Sequence, residues 1–322
     1  MKILITGGSG FIGTNLIFVL EKDRSNDIIS IDIAKPKIKE HNKYWHNVDI
    51  RDYKSFNKVL KEFNPEYVVH LAARTDLNGK NISEYDTNTL GVENLLKGLE
   101  ELGVIKRVIF TSSMYVCYPG YKPKNDLDYS PHTIYGESKV ETEKIIRRIN
   151  PSHYSWCIIR PTSIWGPWFG EPYINFFRLL LKRSYLHLGE KACSKTYGYV
   201  ENTVFQILAL LDANKNEIDK KLFYLGDWPA YNITEWANEI SDYLDYKIPK
   251  VPFYVFKGLA VIGDFLKIIK VKFPMTSFRL KNMTTDNILD LEPIKEIVNG
   301  VLPVNRKEGI ARTIEWMKEY DL

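Results

Sequence analysis

The chain has 322 residues, 44% of them apolar and 26% charged, with 44 Lys+Arg against 40 Asp+Glu for a net charge of +4. That composition excludes a disordered chain, a collagen-like fibre and a disulfide-knotted module. The charge, read as spread along the chain without a basic block, gives no nucleic-acid footprint.

The length predicts about two domains, or one large α/β unit with an elaboration. Cys117, Cys157 and Cys193 are too few and too scattered for a disulfide framework, which predicts a reducing, cytoplasmic setting. Met1-Lys2-Ile3-Leu4-Ile5-Thr6 passes straight into glycines, without the leader and apolar core of a signal peptide.

In chain order, Lys2–Thr6 reads as a strand and Gly13–Leu20 as a helix. Ile28–Ile33 and Tyr44–Val48 read as strands, Ser55–Phe63 as helix and Tyr67–Leu71 as strand. Ile82–Leu102 carries the period of one long helix through Leu90, Leu95, Leu96 and Leu99. Arg107–Thr111 reads as strand, Tyr135–Arg148 as helix and Trp156–Arg160 as strand. Repeated β-α-β units with short apolar strands predict a parallel sheet covered on both faces.

After Pro161 the regularity breaks. Trp165–Gly170 reads as loop, Tyr173–Arg183 as helix, and Leu222–Gly226 as a strand that can return to the sheet. Thr234–Leu244, Tyr254–Ile269 and Lys307–Tyr320 read as helices of a smaller lobe. The stretch Phe253–Phe273 is rich in apolar residues, but Lys257, Asp264, Lys267 and Lys270 interrupt it. Those charges argue against a bilayer span and for an amphipathic helix.

The strongest local motif is Gly7-Gly8-Ser9-Gly10-Phe11-Ile12-Gly13, directly after the first strand. Gly8, Gly10 and Gly13 satisfy G-x-G-x-x-G, and Gly7, Gly10 and Gly13 satisfy G-x-x-G-x-x-G. Glycines there permit a tight turn and close approach of a pyrophosphate to a helix N-terminus. Asp32 closes the second strand at the distance where a dinucleotide fold places an acid for the adenosine ribose. No arginine follows it, which favours NAD over NADP.

Tyr135 and Lys139 are spaced i, i+4 on one helix face. A nearby ammonium favours the phenolate, so such a tyrosine can move a proton near neutral pH. Thr111-Ser112-Ser113 sits at the C-terminal end of a predicted strand, where α/β ligand sites collect.

Together these residues resemble the extended short-chain dehydrogenase/reductase family, in its nucleotide-sugar epimerase/dehydratase branch. The resemblance runs through most of the chain, strongest over 1–167 and weak after about 230. Asp49-Ile50 looks like the family's adenine-contacting pair, and His70-Leu71-Ala72-Ala73 like its H-x-A-A strand. Thr87-Asn88 looks like the helix carrying its Asn. The run from Arg160 to Pro167 looks like the R-P-x-N-V-Y-G-P segment, and Lys195–Val200 like the later R-x-(F/Y)-x-x-V.

The resemblance implies a Rossmann-type doubly wound parallel sheet in an NAD-binding domain, residues 1–163, with 197–228 returning to it. Residues 164–196 and 229–322 would form a smaller, mostly helical substrate lobe. Tyr135 would be the acid/base, Lys139 its pKa-lowering partner and a ligand of the nicotinamide ribose, and Ser113 the holder of the reacting oxygen. Gly7, Gly10, Phe11, Ile12, Gly13, Asp32, Asp49, Ile50, Leu71, Ala72, Ala73, Asn88 and Pro161 would bind NAD. Ser163, Lys195 and Arg279 would contact a nucleotide-diphosphate sugar. The helices around Ile82–Leu102 and Tyr135–Arg148 would pair across a homodimer.

The departures from the family pattern carry information. Met114 and Tyr115 stand where the 4,6-dehydratases carry Asp-Glu, so no acid/base pair remains for water loss. Val116-Cys117-Tyr118 replaces V-Y-G, and Ser163 replaces a common Asn. Cys117 and His187 are candidates for a 3,5-epimerase pair, although Cys117 is displaced from the position that reaction uses. His70 and His132 read as packed or surface histidines. Trp165, Trp168, Phe169 and Tyr173 suit either a sugar pocket or the core where two lobes meet.

The expected activity is NAD-dependent nucleotide-sugar epimerisation. A 4-ketosugar reductase or dehydrogenase, a hydroxysteroid-type dehydrogenase and a non-catalytic NAD-binding protein are the alternatives. No metal site has the necessary ligand spacing.

Overall fold

The computed structural model describes residues 1–189, 193–268, 271, 273 and 275–322. The chain begins β1 (Lys2–Thr6), α1 (Phe11–Leu20), β2 (Asp27–Asp32), β3 (Trp45–Asn47), α2 (Tyr53–Phe63) and β4 (Tyr67–His70). It continues α3 (Leu90–Glu100), β5 (Arg107–Thr111), α4 (Ile134–Ile149), β6 (Ser155–Pro161), β7 (Ser163–Trp165) and α5 (Tyr173–Leu181). Then come β8 (His187–Leu188), β9 (Ser194–Lys195), β10 (Tyr197–Tyr199), α6 (Val200–Asp212), α7 (Lys215–Ile218), β11 (Leu222–Leu225) and β12 (Tyr231–Asn232). The last elements are α8 (Ile233–Tyr243), β13 (Lys250–Val251), α9 (Phe253–Ile268), α10 (Ser277–Met283), α11 (Glu292–Ile297) and α12 (Arg306–Glu319).

Seven strands form one sheet in the order β11-β6-β5-β4-β1-β2-β3, every neighbouring pair parallel. Alternation along β1 sends Leu4 to one face and Ile3 and Ile5 to the other, all fully buried. Leu4 joins Phe56, Leu60, Leu95 and Leu99 of α2 and α3 and Ile145 of α4. Ile3 and Ile5 join Leu16 and Ile17 of α1 and Val204 and Ile207 of α6. Helices therefore cover both faces, as the repeated β-α-β pattern predicted, and this is the doubly wound Rossmann-type fold that the family resemblance implied. β11 returns to the sheet edge beside β6, as expected.

A third core lies beyond the sheet, where Trp165, Phe177, Tyr199, Trp236, Ile240 and Ile314 pack together. It joins α5, α8 and α12 into the mostly helical C-terminal part.

Two expectations need correction. Ile82–Leu102 is not one helix: a 3-10 turn at Ile82–Tyr85 precedes α3, and Asn88 lies in the break. The Asn88 side chain accepts from the Arg74 N–H at 2.8 Å and donates to the Arg74 carbonyl and the Ser138 hydroxyl, so tertiary bonds override the helical period. The helix α6 also lies in a stretch read only as a return to the sheet. Most other ends shift by one or two residues. The expected end of the Tyr254–Ile269 helix, Ile269, lies outside the described residues, as does Lys270.

Candidate active site

The C-terminal ends of the parallel strands open into a cavity of about 830 Å³. At one end the chain leaves β1 through Gly7, whose φ of +76° a side chain rarely adopts. A Cβ on Gly7 would stand 2.5 Å from the Ala72 nitrogen, and one on Gly13 would stand 2.4 Å from the Gly7 carbonyl oxygen. These close approaches press α1 into the turn. Its first turn carries no acid and Gly10 supplies no side-chain cap, so the helix N-terminus keeps its N–H groups for an anion.

Asp32, at the end of β2, is aimed by two backbone groups. Ser9 N–H donates to Oδ2 at 3.0 Å and Ala34 N–H to Oδ1 at 2.9 Å. Each oxygen retains a lone pair for a hydroxyl donor. Asp49 is held bidentate by Arg51, whose guanidinium donates to Oδ2 at 2.6 Å and keeps the carboxyl below the usual range.

The chemical end of the cavity forms where β5 and α4 meet. Ser113 caps a 3-10 turn at Met114–Val116 and accepts the Tyr115 N–H at 3.1 Å. Its neighbour Ser112 is spent otherwise, donating to Glu143 Oε1 at 2.6 Å. The Thr133 side chain caps α4, which then delivers Tyr135 and Lys139 to the cavity. Lys139 Nζ donates to the Thr111 carbonyl at 2.9 Å.

Burial pushes the Lys139 ammonium down to about 8, with Glu143 opposing. Burial pushes the Tyr135 phenol up to about 12, and a hydrogen bond with Ser113 pulls the other way. Lys139 and Tyr135 share the cavity wall, and burial is the larger influence on the phenol. The ammonium is directed at the Thr111 carbonyl, and burial decides the direction.

Gly7, Gly10, Phe11, Ile12, Gly13, Asp32, Asp49, Ile50, Leu71, Ala72, Ala73, Ser113, Tyr135, Lys139 and Pro161 all line this one cavity. Asn88, Ser163, Lys195 and Arg279 do not line it. Asn88 braces the loop at Arg74, and Ser163 reaches the cavity only through the Tyr173 hydroxyl at 3.0 Å. Lys195 Nζ turns to the Asn282 carbonyl at 2.7 Å, and Arg279 lies exposed on α10. A lone basic residue in sequence says nothing of which way it will face.

Cys117 and His187 also lie off the lining. The Cys117 thiol faces the Asp128 carbonyl and burial pushes it up, while His187 meets Asn238 at 2.8 Å. His70 is packed and bonded to Thr6, with burial holding it down at about 3. His132 stacks on Tyr115 with ring centroids 5.6 Å apart.

Sequence reasoning missed one of the two tyrosines that complete the wall. The Tyr115 ring stands 5.8 Å from the Tyr135 ring, and Tyr115 and Tyr173 both line the cavity. Tyr115 lies two residues after Ser113, a local signal that could have found it. Tyr173, already a pocket candidate in the sequence, arrives from α5. Trp165 is core, whereas Phe169 is both core and lining.

The donor set fits a dinucleotide. The glycine turn leaves room beside a helix N-terminus, Asp32 offers acceptors, and the buried Thr111 hydroxyl has no protein partner. Among the described residues no group of acidic, histidine and cysteine side chains is spaced to hold a metal, and no helix is long and apolar enough to cross a membrane.

Residues 3–226 match the family described as NAD dependent epimerase/dehydratase. The chain is 30% identical to a UDP-glucose 4-epimerase of Vibrio cholerae over 98% of its own length and 94% of that protein. It is 26% identical to the N-acetyl-alpha-D-glucosaminyl-diphospho-ditrans,octacis-undecaprenol 4-epimerase of Escherichia coli O157:H7, over 98% and 95% of the two chains. Its fold matches that of a UDP-glucose 4-epimerase of Thermotoga maritima with a TM-score of 0.76 at 22% identity, covering 100% of both chains.

Proposed function

The chain belongs to the NAD dependent epimerase/dehydratase family, and from that membership we propose that it is an epimerase of a sugar carried on a nucleoside diphosphate. The observation that carries the reading is the meeting of Ser113, Tyr135 and Lys139 in the same cavity as the glycine turn and Asp32. Met114 and Tyr115 follow Ser113, so elimination of water has no carboxylate pair to perform it. Relatives named as 4-epimerases support the same direction.

A bound NAD would supply the hydride-accepting and hydride-returning chemistry at the sugar carbon. Gly7, Gly10 and Gly13, with the N-terminus of α1, would hold its diphosphate, Asp32 a ribose, and Asp49 and Ile50 the adenine side. Leu71, Ala72 and Ala73, set against the glycine turn, would flank the diphosphate, and Pro161 the nicotinamide end.

The protein's own part is proton movement. Tyr135 exchanges a proton with the sugar hydroxyl, Ser113 holds that oxygen, and Lys139 supplies the positive charge that favours phenolate. At neutral pH the buried phenol stays protonated unless that charge acts on it. We also assign a homodimer through the outer faces of α3 and α4, on the family analogy.

A second reading changes the carrier and keeps the chemistry. The Escherichia coli relative is named for a sugar on a diphospho-undecaprenol. The exposed apolar residues of α9 beside α10 favour a lipid carrier of that kind.

The test uses NAD-loaded enzyme and a panel of UDP-sugars, followed by proton NMR and NADH absorbance. Interconversion of epimers without net NADH is expected. Tyr135→Phe should lower kcat by roughly 10²–10⁴-fold with little change in sugar affinity. Stoichiometric NADH would make the enzyme a dehydrogenase or reductase, and a product lighter by one water would make it a dehydratase.

A further inference from the structure

The helix α9 is apolar on both its sides. Phe256, Ala260 and Gly263 form its inner face and pack with Leu188 and Leu280. The approach is close, since a Cβ on Gly263 would fall 1.7 Å from the Met275 carbonyl oxygen. The opposite face carries Tyr254, Val261, Phe265 and Ile268 at helical spacing, 74%, 66%, 63% and 78% exposed. Phe278 of α10 adds a ring that is 69% exposed. Other exposed large apolar side chains stand more singly along the chain, which is ordinary; a cluster on one hairpin marks an interaction site.

Charge identifies the occupant. Residues 247–283 contain seven lysines and Arg279 against a single acid, Asp264, while the whole chain balances 44 bases with 40 acids. The reading of an evenly spread charge therefore fails for this segment. Asp264 is itself committed, accepting the Ser277 N–H at 3.1 Å. Exposed aromatic and aliphatic side chains set among lysines are the composition of a helix that lies in a lipid interface. No described helix is long enough to span, so the mode is surface docking. A second copy would face this positive surface with another, which like-charge repulsion disfavours.

We propose that the α9–α10 hairpin is a docking surface for anionic membrane lipid. The hairpin is also tied to the segment that follows the Ser113 turn. Lys195 is hydrogen-bonded to Asn282 of α10, and Asn287, beyond it, receives the Gly120 N–H at 2.9 Å. Docking through α9 thus presents this side to the bilayer, and the proposal holds whichever reaction class the enzyme serves.

The test is flotation of the full chain with vesicles of phosphatidylcholine alone and of phosphatidylcholine mixed with phosphatidylglycerol. Binding to the anionic vesicles, weakened by salt, is expected. Val261→Glu/Phe265→Glu should cut the bound fraction about tenfold or more, and Lys257→Glu/Lys267→Glu should cut it by removing the electrostatic part. All four side chains are exposed, and unchanged melting curves would verify folding. Failure of the full chain to float, or equal flotation of the apolar variant, overturns the proposal. So does a full chain that stays in solution as an oligomer which the apolar variant splits, because that outcome assigns the face to a second copy.

Discussion

Two buried carboxylates in different regions are held in opposite ways. Behind the cavity wall that carries Tyr135, Glu143 of α4 is fully enclosed with Arg160 of β6. Arg160 donates to both carboxylate oxygens at 2.8 Å, and Ser112 and Tyr129 donate as well. Where the sheet meets the helical lobe, Asp227 receives only neutral donors. These are the Tyr199 N–H at 2.9 Å, the Asn202 amide at 3.1 Å and the Tyr231 hydroxyl at 2.6 Å. Arg306, whose field reaches Asp227, is engaged by Glu239.

The consequence is a difference in what holds each region together. Burial pushes Asp227 up to about 6 despite its three hydrogen bonds. Matched charge instead locks α4 to the sheet, and α4 is the element that carries Tyr135 and Lys139. The wall that carries Tyr135 and Lys139 is fixed by a charge pair, and the lobe junction by polar contacts that respond to pH.

The largest expected effect comes from breaking the pair. Glu143→Ala leaves the Arg160 guanidinium buried without its partner, which should cost about 3–5 kcal/mol of unfolding free energy. Urea unfolding measures it. A loss below about 1 kcal/mol would mean that water or a side-chain shift repairs the wall, and the contrast with Asp227 would disappear.

Backbone contact rather than charge fixes the nucleotide end on the same side. Gly13→Ala drives a Cβ into the Gly7 carbonyl and the Gly8 backbone, neither of which can rotate away. About 3 kcal/mol of strain is expected, from the upper part of the overpacking range. At least a tenfold loss of NAD affinity should accompany it, read by calorimetry, because the turn that meets the diphosphate must open. Unchanged affinity would remove the turn from the cofactor site.

The legible parts of this molecule are those whose signal is local. The glycine turn, Asp32 and the Tyr135–Lys139 spacing are short patterns fixed by geometry within one turn or one strand end, and the structure brings all of them to one cavity. The break at Asn88 was hidden because Leu90, Leu95 and Leu99 continue a helical period, while the bonds that stop the helix come from Arg74 and Ser138. The Glu143–Arg160 pair was hidden because its two partners sit on different elements, α4 and β6. Lys195 and Arg279 were legible as charges but not as directions. The basic excess of residues 247–283 was in plain view, and the whole-chain balance masked it.

The smallest expected effect tests the other acid. Asp227 has a folded pKa raised to about 6 from the ordinary 3.8. Between those values the folded protein holds a proton that the unfolded chain has released. Its contribution is thus fully present below about pH 4 and is lost as pH rises to about 6. The loss should be on the order of 2 kcal/mol. Carboxylates held below their usual range, such as Asp49, change stability in the opposite direction, so the wild-type profile alone cannot isolate Asp227. The difference between wild type and Asp227→Asn can. Asparagine cannot ionise, and one of its amide hydrogens would face the Asn202 amide, so it should lower stability at acid pH by about one hydrogen bond. As pH rises from about 4 to 6 the wild type should lose its advantage and the two stability curves converge or cross. Parallel curves over that interval would show that burial does not raise Asp227, and the pH-dependent half of the comparison would be lost.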